Sequence, residues 1–441
     1  MEKTGRMNSV DFMTDDVSRR QFLGSSAKNA AGVAAGMVGL AGSVAESSPG
    51  ERVSVAVIGV RNQGRFLAGS FAKFADVDVT MVCDVDERLH PLAAEVVQEN
   101  QQRAPRRVQD YRRVFDDTSI DAVVIATPDH WHAPLTIAAC NAGKDVYVEV
   151  PASHSVWEGK RMVDAARKQG RVVQSGLQQR SGSHFRDAIA FVRSGKLGSV
   201  KLAKAWTIHQ RKSIGFKQEG PAPDCVDYDR WLGPAGARAF HPNRFHYNWR
   251  WFWEYGTGEL GNWGVHLLDT ARWGLDVEFP QRISAVGGKF HSDDQRETPD
   301  TLLVNYDFSG KMITWEHRLW SSHPLEGRSA AVAFYGDRGT LVVDRGGWKA
   351  YDLKETVTSG GSNLAEAHHR NFIDCVKSRE LPAADIEVGH VSSGLCHLGN
   401  IAFRLGRELV FDASQMKFSS DTDADQLLVK EYRSEWDLPA V

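Results

Sequence analysis

Asn262, His266 and Asp269 stand four and three residues apart, a spacing that puts them on one face if the stretch is helical. An imidazole ordinarily titrates near 6.5 and moves protons at neutral pH, a carboxylate can fix its orientation, and an amide hydrogen-bonds but takes no proton. The trio predicts acid–base chemistry at His266, with Asp269 orienting the ring and Asn262 holding a polar group. Far upstream, Gly59-Val60-Arg61-Asn62-Gln63-Gly64 follows a β-rich apolar run. Gly59 suits a tight turn and Gly64 lets a helix pack closely on a strand. Arg61 replaces the middle glycine of a dinucleotide turn and turns a guanidinium toward a phosphate, with Asn62 and Gln63 beside it. Asp84 lies twenty residues past Gly64, where a carboxylate accepts hydrogen bonds from ribose and repels a 2′-phosphate; Asp86 is the alternative. The expected cofactor is NAD rather than NADP.

These residues need a scaffold that alternates strands and helices. Strand-like runs at 53–60, 77–85, 121–127, 145–150 and 172–175 alternate with helical stretches at 65–74, 87–102, 134–141 and 156–168. Repeated βα units of this length predict an α/β fold, a doubly wound parallel sheet. Beyond it, runs at 201–208, 282–287, 301–308, 312–316 and 332–335 supply strands for a second, mostly antiparallel sheet, with closing helices at 364–377 and 391–405 and His390 before the latter. The expected division is 1–45, 46–175 and 176–441.

Two longer stretches carry a resemblance. Ala126-Thr127-Pro128-Asp129-His130-Trp131-His132-Ala133 with Ala142-Gly143-Lys144-Asp145-Val146-Tyr147-Val148-Glu149-Val150-Pro151 is one; the other is Gly258-Glu259-Leu260-Gly261-Asn262-Trp263-Gly264-Val265-His266-Leu267-Leu268-Asp269, with His369-Arg370-Asn371-Phe372 further on. Together they resemble the glucose–fructose oxidoreductase/inositol dehydrogenase/MocA (Gfo/Idh/MocA) family. The resemblance implies a Rossmann domain, a substrate domain with an open sheet, NAD(P)-linked chemistry on sugars and polyols, and a homo-oligomer. Thr127, Pro128 and Glu149 are expected at the cofactor; His130 and His132 flank Trp131 in the loop after a strand, on the ligand side of an open α/β sheet, so this loop is expected to border the nicotinamide ribose. The resemblance also implies a lysine where Val150 stands and an aspartate where Asn262 stands.

Residues 246–273 bring together His246, Tyr247, Trp249, Arg250, Trp251, Trp253, Tyr255, Trp263 and Trp273. Sugar rings stack their C–H faces on aromatics and offer hydroxyls to forked donors such as Arg. His246, Tyr247, Arg250, Trp251 and Tyr255 are therefore expected at a carbohydrate, joined by Arg180; alternation of Trp249, Trp251 and Trp253 would share one face on a strand or line a mouth in a loop. Gln178, Gln179 and Arg180 fall at the domain junction, Gln178 on the cofactor side.

Ser18-Arg19-Arg20-Gln21-Phe22-Leu23, a mild apolar run to Ala45 and the small-x-small triplet Ser43-Val44-Ala45 resemble a Tat signal, which predicts export to the periplasm or beyond and no stable membrane anchor after cleavage. A formal charge of −3 argues against nucleic acid as a partner. Five scattered cysteines lack CxxC spacing, and the His-x-His pair 130/132 lacks a third ligand, so neither disulfides nor a metal are expected. Outside the cytoplasm a freely exchanging nucleotide has no pool to exchange with. The expected activity is therefore sugar oxidation and reduction on a retained, recycled NAD. Glycoside cleavage by transient oxidation, with Tyr255 or His246 assisting His266, is an alternative. A non-catalytic binding protein is another, raised by Val150 and Asn262.

Overall fold

A computed structural model describes residues 52–354, 357–433 and 436–441; the twin-arginine stretch 1–45 lies outside the described residues. Apolar side chains on both faces of the early strands require cover on both sides. β1 (Val53–Ile58), β2 (Val77–Cys83), β3 (Arg106–Val108), β4 (Ala122–Ile125), β5 (Asp145–Val148) and β6 (Val173–Ser175) pair in parallel in the order β3-β2-β1-β4-β5-β6. The short edge strand β3 escaped the pattern reading because Arg106 and Arg107 are exposed and break its apolar run.

On one face, Val53, Val55 and Val57 pack with Leu67 and Phe71 of helix Asn62–Phe71 and with Phe372 and Ile373 of helix Leu364–Ser378. On the other, Ala56 and Ile58 meet Leu135 and Ile137 of helix His132–Asn141 and Met162 of helix Val156–Lys168. The chain thus returns late to cover a sheet it built early, and an Arg370–Asp76 ion pair at 2.7 Å pins that return.

The second sheet comprises β7 (Val200–Ile208), β8 (Arg282–Gly288), β9 (Thr301–Asp307), β10 (Met312–Arg318), β11 (Ala330–Gly336), β12 (Thr340–Asp344), β13 (Gly347–Tyr351), β14 (Val357–Gly360), β15 (Leu409–Asp412) and β16 (Lys417–Phe418). Its order is β14-β13-β12-β11-β7-β10-β9-β8-β15-β16, antiparallel except where β7 meets β10. Strand alternation turns Leu302, Val304, Ile313 and Trp315 into a core shared with helices Val265–Leu275 and Ile386–Leu405. The opposite face carries Val286, 67% exposed, and Leu303. Among the described residues no helix is long and apolar enough to cross a membrane, and no cluster of His, Cys, Asp or Glu is arranged to hold a metal.

Candidate functional site

The glycine turn after β1 is shaped by contacts that only glycine permits. Gly59 has φ +81°, and a Cβ there would fall 2.7 Å from the Ala126 carbonyl oxygen; one on Gly64 would fall 1.7 Å from the Gly59 oxygen. The first turn of helix Asn62–Phe71 has no side-chain cap, the condition in which helix amides receive an anion. Asp84 accepts hydrogen bonds from Val60 N at 2.8 Å and Asp86 N at 3.0 Å, and burial nonetheless pushes its carboxyl up to about 6. A crevice runs between Gly59, Arg61, Asp84, Thr127 and Pro128 on one wall and Trp231, His246 and Trp249 on the other. Its groups fit a dinucleotide: an open helix start for pyrophosphate, a carboxylate for ribose, aromatic walls for a base.

At the far side of the turn, Gln63 Nε2 donates to Glu149 Oε1 at 2.9 Å, and Val150 N donates to the other carboxylate oxygen at 3.3 Å. Burial raises the Glu149 pKa against these bonds. Gln178 donates to the Tyr147 hydroxyl at 3.3 Å, one strand over. The two histidines expected at the nicotinamide ribose go elsewhere. The loop after β4 winds into a 3-10 turn, Asp129–Trp131, that delivers Trp131 to the crevice and turns both imidazoles inward. His130 is buried and hydrogen-bonds the Trp231 carbonyl at 3.1 Å. His132 bridges the carbonyls of Pro151 at 2.7 Å and Thr127 at 2.9 Å, fastening the loops after β5 and β4 to each other.

His266 follows a π turn, Leu260–Gly264, that runs into helix Val265–Leu275. Such turns re-aim side chains at a cost in regular hydrogen bonding. A Cβ on Gly261 would lie 3.5 Å from Pro151, and Val150 packs on the core that holds Leu260 and Val265, so the His266 turn abuts the loop after β5 that carries Glu149. The ring is 7% exposed, and its Nδ1 is buried without a partner. Burial, aided by the Arg345 charge, lowers its pKa to about 3, so the imidazole is neutral at pH 7 instead of titrating near 6.5.

Asp269 does not orient that ring. Helix Val265–Leu275 faces it the other way, toward Arg180, whose Nε and Nη2 donate to its carboxylate at 2.8 Å each, and toward Ser392 Oγ at 2.7 Å. Arg272 lies 3.5 Å away. Burial opposes its ionisation, but the two arginines and Ser392 keep its pKa low. Arg180 is consumed in this pair and lies over Trp273 at 4.9 Å, so it is tied to the fold and not to a sugar. Asp269→Ala is expected to destabilise the protein by about 3–5 kcal/mol, because it strands the buried Arg272 and the half-buried Arg180 guanidinium groups; denaturant unfolding checks this, and a loss below about 1 kcal/mol refutes it.

The aromatic segment is neither strand nor open mouth. His246–Trp251 forms a 3-10 helix that deals its side chains in three directions. Trp251 is buried beneath the Arg296 guanidinium at 5.4 Å, and Tyr255 is fully buried, 4.9 Å from Trp231. Both are core residues, contrary to the sugar role expected of them. His246 Nε2 meets Asp86 at 2.8 Å and, with Trp249, walls the nucleotide crevice. Tyr247 and Arg250 stay with the His266 side: Arg250 lies 4.1 Å over the Tyr247 ring and donates to Asn262 Oδ1 at 2.8 Å.

Asn262 in turn donates to Glu259 at 3.3 Å, and Arg211 donates to the other Glu259 oxygen at 3.0 Å. Burial of Glu259 works against its charge, yet Arg211 and His209 hold its pKa far below the usual range. Trp263 sits between His209, at 5.0 Å, and His266, at 6.5 Å, under the Arg345 guanidinium. Glu259, Arg211, His209 and Arg345 were not singled out from the sequence. Glu259 stood inside a quoted motif, but Arg211 and His209 follow β7 and Arg345 follows β12, with no local signal.

A parallel sheet with a glycine turn, a ribose-level carboxylate and an adjoining open-sheet domain defines a nucleotide-dependent oxidoreductase scaffold. Family profiles described as "Oxidoreductase family, NAD-binding Rossmann fold" and "Oxidoreductase family, C-terminal alpha/beta domain" match residues 53–177 and 204–438. The chain belongs to the Gfo/Idh/MocA family of oxidoreductases. It is 28% identical over 233 residues to a Glycosyl hydrolase family 109 protein of Saccharopolyspora erythraea, covering 48% of this chain and 50% of that one. The chain spans about half the length of the first curated relatives it matches. Aldose-aldose oxidoreductase from Caulobacter crescentus, solved with glycerol, superposes with a TM-score of 0.64 at 20% identity, over 82% of this chain and 100% of the other. Levoglucosan dehydrogenase, solved with NADH and levoglucosan, gives 0.61 at 18% identity, over 83% and 99%. At these identities the likeness is one of fold.

Proposed function

We propose that this chain is an exported NAD-dependent enzyme acting on a sugar, polyol or related carbohydrate, with a nucleotide that stays bound and returns to its starting state in each cycle. The observation that carries this reading is the loop after β5, which joins the two ends of the site: its Glu149 accepts from Gln63 of the glycine turn at 2.9 Å, and its Pro151 lies against Gly261 of the His266 turn. NAD is preferred to NADP because Asp84 would repel a 2′-phosphate. The bound nucleotide supplies hydride uptake and return. His266, held neutral, accepts a sugar hydroxyl proton at a ring nitrogen, a task that the Val150 side chain cannot share where the family resemblance implies lysine. Asn262, clamped between Arg250 and Glu259, keeps a fixed hydrogen-bonding edge and takes no proton. Tyr247 and Arg250 offer a ring face and a guanidinium to the carbohydrate. Export rests on the twin-arginine segment, and self-association on the open face bearing Val286 and Leu303.

The relative named as a family 109 glycosyl hydrolase favours a second reading, cleavage of a glycosidic bond with His266 carrying the proton. Purified protein, denatured and examined by mass and absorbance, is expected to release about one NAD per chain. No released nucleotide, together with only weak binding of added NAD, overturns the first reading. Turnover of a nitrophenyl glycoside without added nucleotide or acceptor selects the second over sugar-to-sugar hydride exchange.

A further inference from the structure

The adenosine end of the crevice is closed by parts of the chain that no dinucleotide fold requires. We propose that the strap 225–252 and the C-terminal tail, through Arg433 and Trp436, form a clasp over the nucleotide, so that its release depends on the tail lifting away. This rests on the reading above that the crevice holds NAD.

The strap grips the ribose loop directly. Val226 bridges Asp86 in antiparallel fashion, Glu87 N donates to the Cys225 carbonyl at 3.1 Å, and Asp227 N donates to the Val85 carbonyl at 2.9 Å. His246 then meets Asp86 at 2.8 Å. At the other end, Trp131 Nε1 donates to the Trp231 carbonyl at 3.1 Å. Gly233, at φ +48°, lets the strap lie against the Trp131 ring; a Cβ there would fall 2.0 Å from it. Trp131, Trp231, His246 and Trp249 all wall the crevice, so strap position and crevice width are one variable.

The tail locks the strap from behind. Arg433 donates to the Gly233 carbonyl at 3.1 Å and to Asp229 at 2.6 Å. Trp436 meets Trp131 edge-on at 5.4 Å and 88°, with the Arg112 and Arg433 guanidinium groups over its ring at 5.4 and 5.5 Å. On the Rossmann side the tail is held by Trp157 N to the Leu428 carbonyl at 3.0 Å and by Asn141 to the Ala440 carbonyl at 2.9 Å. Trp131 is therefore sandwiched, crevice on one side and tail on the other. Parting the strap therefore breaks the Arg433 bonds to Gly233 and Asp229, while Trp436 backs the Trp131 wall.

The test measures nucleotide release from the full-length protein by exchange against excess labelled NAD. Trp436→Ala is expected to release bound NAD at least tenfold faster than wild type. Asp229→Ala, which breaks an exposed ion pair and leaves the core intact, is expected to accelerate release about threefold. Equal rates in all three overturn the clasp and leave the proposed function standing. If wild type carries no nucleotide, titration with NAD judges the clasp, and equal Kd values for wild type and both variants reject it; only weak binding of NAD in that titration overturns the proposed function as well. Should Trp436→Ala not fold, Asp229→Ala decides alone, with trypsin cleavage at Arg433 as the second readout. Cleavage should slow when NAD is added, and an unchanged rate counts against the proposal.

Discussion

His266→Ala is expected to lower kcat/KM on a carbohydrate substrate by about 10²–10⁴-fold, the usual worth of a positioned proton carrier, while bound nucleotide is retained. Val150 carries no titratable group, Asn262 is an amide, and Asp269 is occupied by Arg180 and Ser392, so none of these three side chains can take over. Because burial and Arg345 lower the imidazole to about 3, it stays neutral from pH 5 upward. The wild-type profile should therefore show no limb near 6.5 that disappears in the variant. A rate within threefold of wild type would sink the assignment, as would loss of nucleotide in parallel with loss of activity.

Mild acid should unfold this protein. Burial lowers His246, His368 and His390 to about 4, and His266, His369 and His397 to about 3. All six fold as neutral rings, whereas an unfolded chain protonates them near 6.5. Unfolding thus takes up protons below pH 6.5, and stability falls as pH drops toward 4. Asp84 and Asp129 act oppositely: burial raises them to about 6 and about 7, so the folded state already holds their protons in this window. Among these eight groups the balance near pH 5 is an uptake of about four protons, a slope of roughly 5 kcal/mol per pH unit; burial also lowers His130, His132, His154 and His317, which adds to it, and raises Glu149 and Glu158, which opposes it. Domains are commonly stable by about 5–15 kcal/mol, so Tm should fall steeply from pH 6 and folding should be lost by about pH 4.5. A Tm constant between pH 7 and 4.5 would contradict the buried, neutral state of these rings.

The sequence alone determined what depends on nearest neighbours along the chain. Apolar runs that repeat with the βα period fixed the first sheet, and Gly59, Gly64 and Asp84 lie where their spacing put them, because a tight turn and the strand that follows it are local geometry. The second sheet was legible as alternation in 301–308 and 312–316, where one face is wet. Tertiary structure decided what each side chain meets. Asp269 is three residues from His266 yet spends its carboxylate on Arg180, eighty-nine residues away. The 3-10 helix His246–Trp251 sends consecutive aromatics to core, crevice and site, an outcome that composition cannot encode. The Glu259–Arg211 pair and the contact of Trp436 with Trp131 were likewise invisible, because each joins segments remote in sequence, and only the folded packing sets which charges and rings are brought within reach; the edge strand β3 was hidden by its exposed Arg106 and Arg107.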